Sequence, residues 1–130
     1  MSDSLVHFYS SLDDCFPFSK IERKSKVAIY SAGAYGIHLY NQIMSSEEYY
    51  VSLWVDPDHK EYIGNDSRVE SIENLYQNEW DYCLIASTDK AYVDLALKEL
   101  ISNDVSRTSI RTVFDDWEHI EKELNRIGVL

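Results

Sequence analysis

The chain is expected to fold as an α/β protein, a doubly wound parallel sheet of about five strands with helices on both faces. Three observations lead there. Val27-Ala28-Ile29-Tyr30 and the run from Asp81 to Ala86 are short and nearly all apolar, as strands covered on both faces are. Each is followed by a segment whose apolar residues recur at helical spacing. Strands that alternate with helices in this way build parallel sheets through crossover connections.

Taken in order, the first core strand runs into the small-residue break Ser31-Ala32-Gly33-Ala34-Tyr35-Gly36. Helix one follows, with Leu39, Tyr40, Ile43 and Met44 at helical period, His38, Asn41 and Gln42 between them, and Ser45-Ser46 at its end. Tyr50 to Val55 is rich in β-branched and aromatic residues and stops at Asp56-Pro57-Asp58, so it is strand two. A polar loop with Gly64, Asn65 and Asp66 leads to Arg68-Val69-Glu70, a short edge strand, and to Ser71, the N-cap of a helix through Tyr76. The run ending at Ala86 is the fourth strand, and Ser87-Thr88-Asp89 caps a helix carrying Tyr92, Val93, Ala96, Leu97, Leu100 and Ile101. Ser109 to Val113 is the last strand. A charged helix from about Asp115 to Arg126 then places Trp117, Ile120 and Leu124 on one side. The expected strand order is 3-2-1-4-5.

Residues 1–25 stand outside this rhythm. Leu5, Val6, Phe8, Tyr9 and Leu12 suggest a leading helix, and Cys15-Phe16-Pro17-Phe18 an extended connector on the sheet edge. The expected organisation is this helix and connector packed on a single domain of residues 26–130. A chain of 130 residues is too short for a cofactor domain plus a separate substrate domain.

Twelve Lys and Arg against twenty-three Asp and Glu give a formal charge of -11. Nucleic-acid affinity comes from clustered cations, so no nucleic acid is expected as a partner. An anionic ligand would have to be held by local geometry against an unfavourable overall field. Two cysteines far apart, Cys15 and Cys83, do not suggest disulfides and fit a reducing, cytoplasmic setting. No secretory leader or long apolar span is read, so no membrane insertion is expected.

The small-residue break carries the functional reading. It is one residue away from G-x-G-x-x-G, with Ser31 where the first glycine would stand. Gly33 occupies the position where backbone approaches a pyrophosphate, and Gly36 the position where helix and strand pack tightly. Backbone N–H groups near Ala34 and Tyr35 would face the anion at the positive end of the helix. Asp56, twenty residues after Gly36 at the end of strand two, is placed to bond ribose hydroxyls and would repel a 2′-phosphate. Ser31 either widens the turn or offers its hydroxyl to a phosphate oxygen. Against this stands a plainer reading, in which both glycines serve helix–sheet packing and nothing is bound.

Ser87 and Thr88 end the neighbouring strand at the switch point and could touch phosphate or sugar, although capping the next helix explains them as well. Asp56, Asp58 and His59 form a short oxygen-and-imidazole cluster better read as a solvated loop than as a metal site. Cys83, mid-strand among apolar residues, reads as inert core. The four histidines show no triad or zinc spacing, and no tyrosine has lysine four residues later. No complete catalytic constellation is visible, so whether the chain is an enzyme stays open.

Across KVAIYSAGAYGIHLYNQI, VSLWVDPD, SRVESIENL and DYCLIAS, roughly residues 26 to 113, the chain resembles the Rossmann-like nucleotide-binding N-terminal domains of bacterial surface-polysaccharide proteins. These include nucleotide-sugar dehydratases and sugar acyltransferases. The resemblance implies NAD or a nucleotide-sugar as ligand, with Gly33 and Gly36 matching the turn and Asp56 the ribose acid. Ser31 departs from the pattern, and the catalytic domains of those proteins have no counterpart. The expected function is nucleotide binding in sugar-nucleotide or polysaccharide metabolism. The alternative is a ligand-free module that docks a larger complex or a second copy of itself.

Overall fold

A computed structural model describes residues 16–62 and 68–126. The expected leading helix before Phe16 and the loop at Gly64, Asn65 and Asp66 lie outside the described residues. Four parallel strands form the sheet: β1 (Lys26–Tyr30), β2 (Tyr50–Val55), β3 (Tyr82–Ile85) and β4 (Ile110–Thr112), in the order β2-β1-β3-β4. Among the described residues three α-helices accompany them: α1 (Ala34–Ser46), α2 (Lys90–Ser102) and α3 (Trp117–Arg126).

The two runs that read as doubly covered strands are so for a visible reason. Val27, Ile29 and Leu84 point into one core with Leu39, Tyr40 and Ile43 of α1 and Ile120 and Leu124 of α3. Ala28, Tyr30, Cys83 and Ile85 alternate onto the other face, where Val93, Ala96 and Leu100 of α2 join Ile72 and Leu75. Helices thus cover both faces. The chain leaves β1 through α1 on one face and β3 through α2 on the other, so the topological switch point lies at the carboxyl ends of these two neighbouring strands.

The sheet has four strands among the described residues, not five, so the order 3-2-1-4-5 is corrected. Arg68-Val69-Glu70 makes one parallel bridge, Val55 with Glu70, beside β2. Only Glu70 exchanges ladder bonds, donating to Trp54 O (2.8 Å) and accepting from Asp56 N–H (3.1 Å). The expected helix through Tyr76 is a tight 3₁₀ segment, Ile72–Tyr76, and Ser71 bonds the Glu73 carboxylate instead of capping it. Five residues that bury only Ile72 and Leu75 make a 3₁₀ turn and no more.

The connector goes onto a face of the sheet, not its edge. Phe16, Phe18 and Ile21 are buried in the core that α1 and α3 share. Tyr49 fixes them there, its ring 5.1 Å from that of Phe18 and its hydroxyl donating to Phe18 O and Ile21 O. Two helical positions also differ from the sequence reading: Gln42 is fully buried, whereas Met44 is 56% exposed. Among the described residues no helix is long and apolar enough to cross a membrane.

Candidate functional site

At the carboxyl end of β1 the chain must turn sharply to start α1, and Ser31 makes the turn with φ 106. Among the described residues three other non-glycine residues have positive φ, Lys24, Glu47 and Asp104, but these lie at 61–68, in the ordinary left-handed well. Ser31 lies beyond that well, in a conformation that a Cβ makes costly and a glycine adopts freely. The first-glycine geometry is therefore present although the glycine is not.

Hydrogen bonds from β2 hold this turn in place. Ser31 N–H donates to Val55 O (2.8 Å), and the buried Trp54 indole donates from Nε1 to Ser31 O (2.9 Å). Ala32 N–H donates to Asp56 Oδ2 (2.7 Å), while Asp58 N–H donates to Asp56 Oδ1 (2.7 Å). Trp54 is itself pinned by stacking on Tyr40 of α1, with ring centroids 4.4 Å apart and planes 11° from parallel. Strain persists only where surroundings over-determine it, and here a strand end, an indole and a carboxylate do so together.

The two glycines turn out to be different. A Cβ on Gly36 would sit 2.2 Å from Ser31 O and 2.9 Å from its carbonyl carbon, so glycine is required there by the approach of α1 to the turn. A Cβ on Gly33 would meet nothing closer than Ser31 Oγ at 4.0 Å, and its backbone (φ -71, ψ -172) suits any residue. Packing and backbone conformation leave Gly33 free to vary, and the fold asks of it only the N-cap position, which favours glycine over alanine. There it supplies no side-chain cap, and no acidic residue stands in the first turn. The other two long helices differ: Asp89 caps α2 by accepting from Ala91 and Tyr92 N–H, and a Thr112–Asp115 capping box precedes α3. The start of α1, with Ala34 exposed and Tyr35 half-buried, has no acidic side chain in its own first turn, and the nearby charge is the Asp56 carboxylate on Ala32 N–H.

Across the switch point from the turn is the end of β3. Ala86 N–H donates to Tyr30 O (2.9 Å), and Ala86 Cβ lies 3.8 Å from where a Gly36 Cβ would be. Beyond it Ser87 Oγ accepts from Asp89 N–H (3.1 Å), so Ser87 shapes the approach to α2 while Asp89 does the capping. Thr88 is half-buried beside it. The structure therefore groups Ser31, Gly33, Ala34, Tyr35 and Gly36 on one turn, ties Asp56 to that turn, and sets Ser87 and Thr88 on the adjoining strand end.

Asp56 does something that its spacing did not reveal: both carboxylate oxygens already take backbone N–H groups, and the residue is buried. Trp54, read from sequence only as a strand aromatic, is the second anchor of the turn. Cys83 is fully buried in the sheet, and burial pushes its thiol up to about 12, well above the range of a reactive cysteine. Among the described residues no three His, Cys, Asp or Glu side chains are grouped to hold a metal ion. The loop at Asp56, Asp58 and His59 instead closes on itself, His59 N–H donating to Asp56 O (3.0 Å).

Set against protein-family models, curated proteins and solved structures, the chain matches none.

Proposed function

We propose that the Ser31–Gly36 turn holds the phosphates of a nucleotide, NAD(H) or a nucleotide-sugar, in the manner of a Rossmann-like domain. One observation carries the reading: α1 starts on a glycine, with no side-chain cap, and no protein atom lies closer than Ser31 Oγ at 4.0 Å to where a Cβ on it would stand. Space for a ligand's phosphate over a bare Cα explains it, because a Cβ there would touch the ligand and not the protein. In this reading the first-turn N–H groups near Ala34 and Tyr35 meet the anion. Each Asp56 oxygen keeps a second lone pair beyond the N–H it accepts, and these serve the ribose hydroxyls. Ser87 and Thr88 bound the far side. The resemblance to polysaccharide-biosynthesis domains points to nucleotide-sugars as the first ligands to test. Isothermal titration with NAD, UDP-sugars and CoA decides: saturable binding supports the reading, and no heat from any of them at millimolar concentration overturns it.

A second reading, a module that docks a partner or another copy of itself, draws on exposed apolar side chains. Ile37 and Met44 lie on one face of α1 (43% and 56% exposed), and Tyr50 at the start of β2 is 54% exposed. The charged terminal helix α3 does not supply that surface, since Ile120 and Leu124 are fully buried.

A further inference from the structure

The two edges of the sheet are finished differently. At β4, side chains take the backbone groups that have no strand beside them: Ile110 O accepts from Arg107 Nη1 (2.7 Å) and Arg111 Nη1 (3.0 Å), and Thr112 N–H donates to Asp115 Oδ2 (2.8 Å). Blocking of this kind keeps an edge from pairing with another chain. At β2, Glu70 takes Trp54 O and Asp56 N–H, but before Trp54 no hydrogen bond reaches the outer edge among the described residues. A furrow follows this stretch. Met44 and Tyr50, both more than half exposed, line it beside the start of β2 with Lys24 and Glu47, and Arg68 and Glu70 line it beside the end. An edge of free peptide groups takes an extended strand. The charges add the source and direction of that strand. Each end of the furrow carries one cation and one carboxylate, so on a chain of formal charge -11 a second copy can approach here without meeting only its own sign. Lys24 Nζ donates to the Glu47 carbonyl (3.0 Å) and not to a carboxylate. Antiparallel pairing of β2 with β2 of another copy lays the start of one strand against the end of the other. Lys24 then meets Glu70 of the other copy, and Glu47 meets its Arg68.

We propose that the chain associates with a second copy through the outer edges of β2, paired antiparallel about a two-fold axis, so that two four-stranded sheets join into one. The inference rests on the second reading above, that exposed apolar side chains dock a partner, and is independent of the phosphate turn. The pairing of β1 with β2 slips between Val27 and Ala28, leaving Ser52 opposite no β1 residue. This bulge keeps the stretch that can pair short. Few residues pair, and Met44, Tyr50 and Ile37 supply most of the exposed apolar area beside them, so the interface is at the small end of the range. Association is therefore weak, with a dissociation constant of roughly 10–100 µM.

The test is sedimentation equilibrium of the full chain between about 5 and 500 µM, where wild type should pass from monomer to dimer. Met44→Glu puts a charge at an exposed position, and Lys24→Glu and Glu70→Lys each set like charges against one another across the axis. Each should weaken the dimer about tenfold, with the thermal midpoint of the dilute monomer little changed. The double variant Lys24→Glu/Glu70→Lys should recover most of the loss, because opposite signs face each other again. Lys98→Glu makes the same change in net charge on α2 and should leave the dimer as it is. A chain that stays monomeric at the highest concentration overturns the inference and, with it, the self-docking half of the second reading. A dimer indifferent to Met44→Glu and to both charge reversals overturns the inference alone, since the contact then lies on another surface. A double variant no stronger than the single ones also overturns it, because the antiparallel register would be wrong.

Discussion

Replacing Gly36 by alanine is the sharpest perturbation the fold offers, because two opposing effects can be weighed. Alanine is the better helix former, and at the third residue of α1 the exchange on propensity alone would stabilise by about 1 kcal/mol. Against this, the new Cβ would lie 2.2 Å from Ser31 O and 2.9 Å from its carbonyl carbon. A comfortable C···O separation is about 3.3 Å, so helix and turn must part by roughly 1 Å. Neither side can yield cheaply. Ser31 O is held by the Trp54 indole at 2.9 Å, and Ala86 Cβ stands 3.8 Å away on the β3 side. Overpacking against backbone costs up to about 3 kcal/mol, and stretching the indole bond adds about 1 kcal/mol. The net expectation is a loss of about 2–3 kcal/mol, or roughly 10 °C in melting midpoint for a domain of this size. Urea unfolding followed by tryptophan fluorescence measures it. A Gly36→Ala chain as stable as wild type, or more stable, would refute the close approach on which the geometry of the turn depends.

Three further outcomes are expected. Asp56→Asn keeps the shape but can present only one oxygen to two N–H groups, so the Ala32 or Asp58 bond is lost and unfolding free energy falls by about 1.5–3 kcal/mol, read by the same urea titration. In a Cys15→Ser background, Cys83 should stay unreactive toward a thiol reagent at pH 8 until the chain is unfolded. Because burial raises its folded pKa to about 12, its contribution to stability is complete below the unfolded value of about 8.5 and declines as pH rises toward 12. Finally, with a formal charge of -11 the chain's long-range field repels anionic nucleotides. Their affinity should hold or rise by a few-fold between roughly 50 and 300 mM salt, the opposite of a binder steered by cations.

The sequence made the central strands legible because β1 and β3 are buried on both faces, and burial on both faces leaves an unbroken apolar run that needs no tertiary knowledge to see. It misled at Arg68-Val69-Glu70 because a strand exists only through its ladder. Three residues that bury one side chain, Val69, form a bridge and stop. Gln42, fully buried, and Met44, 56% exposed, reverse the expected pattern, because side-chain type does not say which flank of a helix a neighbouring element covers. At the turn, glycine spacing and Asp56 were readable as a pattern, while the physical roles were not. Sequence distance shows that Asp56 comes near the turn, but only the structure shows its carboxylate clamping Ala32 and Asp58. Nothing in the residue type announces that Ser31 would accept φ 106, since serine is a residue that resists it.

The most direct test of the phosphate turn is Gly33→Ala, measured for stability and for binding in the same preparation. A Cβ at Gly33 would meet nothing closer than Ser31 Oγ at 4.0 Å, so the variant loses only the N-cap preference of glycine over alanine and should unfold within about 1 kcal/mol of wild type. The same Cβ stands where the phosphate is placed, so titration with NAD or UDP-glucose should show affinity reduced by tenfold or more. A Gly33→Ala chain that binds these ligands as tightly as wild type would contradict the account, because the bare Cα at the start of α1 would then have no part in holding a ligand.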